Sequence, residues 1–301
     1  MEKDGEVKLT RGDAHDCLGV VFVFDKMKGK ATCQMFDCPD GMFKEFPLKF
    51  SKSVKVTNPA KADMFSEDLS KRLDPEKKQL FHRTVAKGLF LSKRARPDIQ
   101  PVTSVLCTRV QNPGRNDWNK LVKMMKFLWT ARNDVSTLRA RKGLHSVEWC
   151  IDAAFAVHPD FKSHTGATQH FVGGKGAVQS ISAKQKLNTS SSTTSELVGV
   201  DQVLPVVLWT PLFMEAQGHR IKENKVWQDN KSTMPLENNG KTSSGKRTRA
   251  LNMRHFMMTD QVRHGNCAIK HCPTDDMVGD FVTKRLQGVK FATFCKKIMG
   301  M

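Results

Sequence analysis

The fold class that the sequence predicts is α/β: a mixed layer of strands and helices from about residue 145 onwards, preceded by a β-hairpin and a helical stretch. Three observations carry it. Runs rich in Val, Ile, Phe and Trp cluster after Gly143, and apolar residues recur at helical spacing between 76 and 130. In the later half strands come first and helices are interleaved after them, the order of an α/β layer.

Composition bounds the rest. A chain of 301 residues can hold two ordinary domains or one large one. Lys and Arg number 49 against 30 Asp and Glu, a formal net charge of +19, which points to a polyanionic partner. No segment reaches the ~18 uninterrupted apolar residues of a membrane span, and the charged start Met1-Glu2-Lys3-Asp4 is unlike a secretory signal. A cytoplasmic or nuclear protein without a membrane partner is the expectation. Eight cysteines include two C-x4-C pairs, Cys33/Cys38 and Cys267/Cys272. The pairs lie far apart without a shared His or Cys cluster, so reduced, buried thiols are expected over a zinc site. The chain has no Tyr beside 18 Phe, 5 Trp and 10 His.

In chain order, Val20-Val21-Phe22-Val23-Phe24 and Ala31-Thr32-Cys33-Gln34-Met35-Phe36 flank a Lys/Gly turn and read as a hairpin. Residues 58–75 are polar without period, a linker or long loop. A helix follows from Glu76, carrying Leu80, Phe81, Val85, Leu89 and Phe90 on its apolar side. A second should start after Arg96-Pro97-Asp98, where Pro in the first turn and an acid near the amino end both favour initiation. A third runs from about Asp117, with Trp118, Leu121, Met124, Met125, Leu128 and Trp129 opposite Lys120, Lys123 and Lys126. That basic side fits either a nucleic-acid grip or a plain solvated face.

Beyond Gly143, strands are expected at 147–156, 167–172 and 177–181, with turns at His158-Pro159-Asp160 and Gly173-Gly174-Lys175-Gly176. The Ser/Thr run 188–195 can cap a helix that continues through Glu196, Leu197, Val200 and Val203, and Pro205 and Pro211 should kink or split it. A strand at 225–228, a basic loop at 241–249, a helix at about 251–262, a strand at 267–272 and two short helices ending near Met299 complete the pattern.

Four acids sit at element ends or in apolar surroundings: Asp152, Glu196, Asp229 and Asp280. Asp152 is the most telling, because Val147-Glu148-Trp149-Cys150-Ile151-Asp152-Ala153-Ala154-Phe155-Ala156 puts a carboxylate inside an apolar run. It must lie where the strand meets water, or a cation must hold it; a metal is the expected holder. Taken singly, each acid is more often a cap or a surface charge than a metal ligand. Taken together, about four carboxylates are what a pair of divalent ions on a phosphodiester requires.

The surrounding motifs decide between these readings. Val147 to Phe155, Lys184-Gln185, Ser191-Ser192-Thr193-Thr194-Ser195-Glu196-Leu197, Gln228-Asp229-Asn230-Lys231-Ser232, Arg247-Thr248-Arg249 with Asn252 and Arg254, and Gly279-Asp280-Phe281-Val282-Thr283-Lys284 resemble, in order, the ribonuclease H domain of copia-type retrotransposon Pol polyproteins. Upstream, Arg11-Gly12-Asp13-Ala14-His15-Asp16-Cys17-Leu18-Gly19 resembles a block just after the polymerase active site. Ala95-Arg96-Pro97-Asp98-Ile99 resembles one of the thumb and connection region.

The resemblance implies a mixed five-stranded sheet with flanking helices over 144–301, preceded by the end of a reverse-transcriptase palm (1–57), a linker (58–75) and a thumb or connection segment (76–143). It implies an endonuclease that cuts the RNA strand of RNA·DNA hybrids. Asp152, Glu196, Asp229 and Asp280 would be catalytic and would hold two Mg²⁺ ions, with Mn²⁺ as a substitute. Lys184, Gln185, Asn230 and Arg249 are the candidate substrate contacts, each equally readable as an ordinary solvated surface residue. His264 or His271 is a candidate to ferry protons, with a plain surface histidine the commoner reading. Polymerase activity is not expected, because the paired-Asp polymerase motif is missing. The alternative is an inactive, basic nucleic-acid-binding remnant. The chain departs from the family pattern at several places: Cys17, Cys150, His255 and His271 stand where the family tends to place Tyr, Thr194-Ser195 and Ala250 replace Glu-Ala and His, and Arg285 replaces a Pro.

Overall fold

The computed structural model describes residues 10–51, 53–139, 145–240 and 257–301. Two sheets organise them. The first is an antiparallel four-stranded sheet in the order β1 (Ala14–Cys17), β2 (Val20–Asp25), β3 (Lys30–Gln34), β4 (Ser136–Arg139). The predicted hairpin is β2 and β3. Strand β1 carries little apolar alternation, so its sequence gives no strand signal; it joins β2 through Leu18 and Gly19, both at positive φ (54° and 76°), which suits a two-residue turn. Strand β4 comes from far along the chain and pairs with β3. Helix α1 (Asp37–Glu45), also unforeseen, buries Met42 and Phe43.

The three predicted helices exist. Helix α2 (Pro75–Ser92) starts at Asp74, whose side chain accepts from Lys77 N at 2.8 Å, with Pro75 in the first turn. Phe81 and Val85 are buried, but Leu89 and Phe90 are exposed, and the Arg94 guanidinium lies 3.8 Å from the Phe90 ring centroid. Helix α3 (Gln100–Cys107) follows a short 3-10 turn at Pro97–Ile99. Asp98 does more than favour initiation: it is buried and takes a forked contact from Arg96, at 2.9 Å from Nε and 2.7 Å from Nη2. Arg96 Nη1 reaches Ala131 O at 2.9 Å, tying the start of α3 to the end of α4 (Arg115–Thr130).

Helix α4 buries Trp118, Leu121, Met124, Met125 and Leu128 as its period predicts. Its lysine side is different from both sequence readings. Lys120 is 1% exposed and donates to Ser66 O and Asp117 Oδ1, while Lys123 donates to Ala60 O and Asn58 Oδ1. Two of the three lysines therefore pin residues 58–66, and Met64 of that irregular segment is buried.

The second sheet is mixed and five-stranded, in the order β7 (Gln179–Asn188), β6 (Lys162–Phe171), β5 (Ser146–Ala154), β8 (Glu223–Gln228), β9 (Ala268–His271). Pairs β7/β6 and β6/β5 are antiparallel, whereas β5/β8 and β8/β9 are parallel. Strand β5 has two buried faces. Val147, Trp149 and Ile151 pack with Val200, Val203 and Val207 of α5 (Ser192–Ala216), and Cys150 faces a core shared with Phe281, Phe294, Leu121 and Phe81. That second core joins the sheet to the upstream helices. Helix α3 also covers the outer strand: Gln100 Nε2 and Ser104 Oγ donate to Ser180 O and Ser182 O of β7 at 3.0 and 2.8 Å. Edge carbonyls that would recruit a further strand are thus paired.

Helix α5 runs unbroken for 25 residues through Pro205 and Pro211, so the helix does not split there. Pro211 leaves the Val207 carbonyl without its helical donor, and Asn224 Nδ2 of β8 supplies one at 2.9 Å. Pro205 lies on the exposed side. By length and composition α5 is long and apolar enough to cross a bilayer, although Glu196, Asp201, Gln202 and Thr210 break its apolar runs well short of ~18 uninterrupted residues. Its inward face is spent on the sheet. Helices α6 (Met234–Asn239) and α7 (Met257–Arg263) follow, then α8 (Asp280–Thr283) and α9 (Gly288–Met299). The predicted basic loop 241–249 and the first half of the helix predicted at 251–262 lie outside the described residues.

Candidate metal centre

Parallel neighbours β5 and β8 end at the same edge of the sheet, and the amino end of α5 arrives there. Asp152 near the end of β5, Glu196 in the first turns of α5 and Asp229 just after β8 each offer a carboxylate oxygen, and these oxygens lie within 4.8 Å of one another. The sequence supports each placement. Alternation along β5 turns Asp152 away from Ile151 and toward α8. Ser191 caps α5, its hydroxyl accepting from Thr194 N at 3.1 Å, and this fixes the turn that carries Glu196.

The cluster is electrostatically costly. Asp152 is 1% exposed, and burial, then Asp280 and Asp229, push its carboxyl up to about 6 against the pull of Lys284 and a Thr283 hydrogen bond. Glu196 is 5% exposed and is raised well above the usual carboxylate range by burial first and by Asp152 and Asp229 next. Its Oε2 is buried without a hydrogen-bond partner. Three hard oxygen donors with one orphaned lone-pair set fit a divalent cation of the Mg²⁺ class.

The fourth acid stands apart from this trio. Asp280 is buried, but its oxygens are occupied by ammonium groups: Lys284 Nζ is 2.5 Å from Oδ1 and Lys290 Nζ is 3.3 Å from Oδ2. Lys284 Nζ also lies 3.3 Å from Asp152 Oδ1, and the Thr283 hydroxyl donates to Asp152 Oδ2. Lys284 is thus one cation in contact with Asp152, beside the divalent ion that the acid trio is fit to hold. Lys284 closes the Gly279–Lys284 motif, and its i,i+4 spacing from Asp280 is the sequence signal for this contact.

Two glycines let α8 come close enough. A Cβ on Gly166 of β6 would stand 2.8 Å from Val282 Cγ2 and collide with the Thr283 methyl, and one on Gly279 would stand 3.1 Å from Asp152 Cβ and Cys150 O.

The expected substrate residues are dispersed. Lys184 is half-buried on β7, with Nζ 2.8 Å from Asp160 Oδ2. Gln185 is 1% exposed and its Nε2 donates to Thr165 Oγ1 and Ser195 O, bracing the first turn of α5 against β6, while its Oε1 is buried without a partner. Asn230 shapes the turn around Asp229, its N–H donating to Gln228 Oε1 and its Oδ1 accepting from Ser232 N. Arg249 lies outside the described residues. His264 is exposed on Asp260 O, and His271 is exposed beside Gln228, one residue from Asp229.

All eight cysteines are free, and among the described residues the acid trio is the group with metal-ligand geometry. Cys150, Cys272, Trp227 and His170 line a cleft of ≈ 620 Å³, and burial pushes the Cys150 thiol up to about 12.

No protein-family model matches the chain. It is, however, 24% identical over 299 residues to the retrovirus-related Pol polyprotein from transposon TNT 1-94 of Nicotiana tabacum. This chain is related to copia-type retrotransposon Pol polyproteins. The match takes in 96% of the chain and 22% of that polyprotein, so it covers both the upstream sheet and helices and the mixed sheet. For this Pol-related chain, the mixed five-stranded sheet with flanking helices agrees with the ribonuclease H-like fold that the motifs implied.

Proposed function

We propose that this chain is a ribonuclease H-type endonuclease that cleaves the RNA strand of RNA·DNA hybrids with divalent metal assistance. The observation that supports it most is the convergence of Asp152, Glu196 and Asp229, from three separate elements, on one point with Glu196 Oε2 left partnerless. Asp152, Glu196 and Asp229 would hold Mg²⁺ or Mn²⁺, and Asp280 adjoins them through Lys284. When bound, such an ion activates water and neutralises charge on the scissile phosphate.

The chain's own residues do the rest. Thr283 and Lys284 fix the rotamer of Asp152, and Gln185 braces the turn that presents Glu196. Lys184 and Asn230, together with Arg249, are assigned to the phosphate track, and the +19 charge favours a polyanion. Hybrid would be told from DNA duplex by 2′-hydroxyls in the wide minor groove. In this reading residues 144–301 form the nuclease domain, and residues 1–57, 58–75 and 76–143 are the palm end, linker and thumb or connection.

A second reading, a basic remnant that binds hybrids without cutting them, is favoured by the departures Thr194-Ser195 and Arg285, which adjoin Glu196 and Lys284 in the sequence. Incubating a labelled RNA·DNA hybrid with Mg²⁺ separates the two. The wild type should give cut RNA, and Asp152→Asn should bind hybrid while cleavage falls more than ~100-fold, since changing even a residue one step from a metal costs ~10–100-fold. Binding without product in the wild type would establish the remnant.

A further inference from the structure

We infer that Lys284 takes the place of a second metal ion: the centre binds one divalent cation on Asp152, Glu196 and Asp229, and the Lys284 ammonium bridges Asp152 to Asp280 as the other cation. This rests on the reading of the trio as a metal centre.

The four acids divide into two groups. Oxygens of Asp152, Glu196 and Asp229 lie within 4.8 Å of each other, and Asp280 is outside that group. Between them stands Lys284 Nζ, 2.5 Å from Asp280 Oδ1 and 3.3 Å from Asp152 Oδ1, the bridging position a second ion would need. The other Asp280 oxygen is taken by Lys290, 3.3 Å away, and the other Asp152 oxygen by Thr283. Asp280 therefore has no oxygen left without a cation.

Glu196 supplies the independent observation that one ion is still wanted, because its buried Oε2 has no partner. The placement is built in: Gly166 and Gly279 seat α8 directly on β5 and β6, so Lys284 follows α8 into the site. Removing this ammonium would leave Asp152 and Asp280 as a buried pair of like charges, which a second divalent ion would then bridge.

Calorimetric titration of the full chain with Mn²⁺, without nucleic acid, tests this. The wild type should take up one equivalent, Lys284→Met two, and Lys284→Arg one, since Arg restores a fixed cation. Lys284→Gln and the Mn²⁺-induced rise in Tm provide a second variant and a second readout if Lys284→Met folds poorly. Two equivalents in the wild type, an unchanged single equivalent in both neutral variants, or no uptake by any protein would each overturn the inference. Hybrid cleavage is not read in this titration, so a wild type that takes up two ions and cuts hybrid would sink the role of Lys284 and leave the nuclease reading standing.

Discussion

Glu237 shows how far a single residue departs from what its type suggests. It lies on the short α6 and is buried, and burial pushes its carboxyl up to about 8 from the usual 4.5, with the Gln228 side chain offsetting part of the cost. Between those values the folded protein holds a proton that the unfolded chain has released. Stability must therefore fall as pH rises from about 4.5 through 8. Glu237→Gln removes the charge and keeps the shape, so its melting temperature should match the wild type near pH 5 and exceed it near pH 9. Melts at the two values check this, and an equal difference at both would refute it. Asp152 is the contrasting case. An acid inside an apolar run announces from sequence that some cation must be found. Which cation was hidden, because Lys284 lies 132 positions along the chain. The same distance hid the duty of Gln185, whose partners Thr165 and Ser195 belong to two other elements.

At the scale of elements, local signals were read well where the residues that decide them are neighbours. The Ser/Thr run before Glu196 caps α5 through Ser191, and Pro75 and Asp74 start α2 as such residues do. Ser191→Ala should cost about 1 kcal/mol of stability. Because that cap holds the turn bearing Glu196, hybrid cleavage should also drop; urea unfolding beside a cleavage assay measures both, and an unchanged midpoint would show that the cap carries no weight. Elements were misread where the deciding partner is remote. Proline should interrupt a helix, yet α5 runs through Pro211 because Asn224 of a different strand satisfies Val207 O. Lys120 and Lys123 have the spacing of a solvent face, yet carbonyls of residues 58–66 draw them inward.

The whole molecule carries an excess of 19 positive charges on a frame in which α3 and the shared core lock the upstream helices to the mixed sheet. If that charge serves a nucleic-acid partner, hybrid binding should weaken at least ~10-fold between about 50 and 200 mM KCl, falling linearly on logarithmic axes as counterions are released. Fluorescence anisotropy at four or five salt concentrations gives the slope, and a flat line would exclude phosphate contacts as the main source of affinity. The sequence by itself determined the strand and helix periods, the cap of α5, the mixed sheet through its ordered motifs, and the four acids worth watching, because each is written in residues near one another. Only the tertiary structure decided that β4 completes the first sheet, that Lys120 and Gln185 are internal, and that Asp280 is held by lysines while Asp152, Glu196 and Asp229 face one another. The physical reason is common to all of these. Whether a charge is paired, buried or left waiting for an ion depends on what packs against it, and that partner comes from a distant part of the chain.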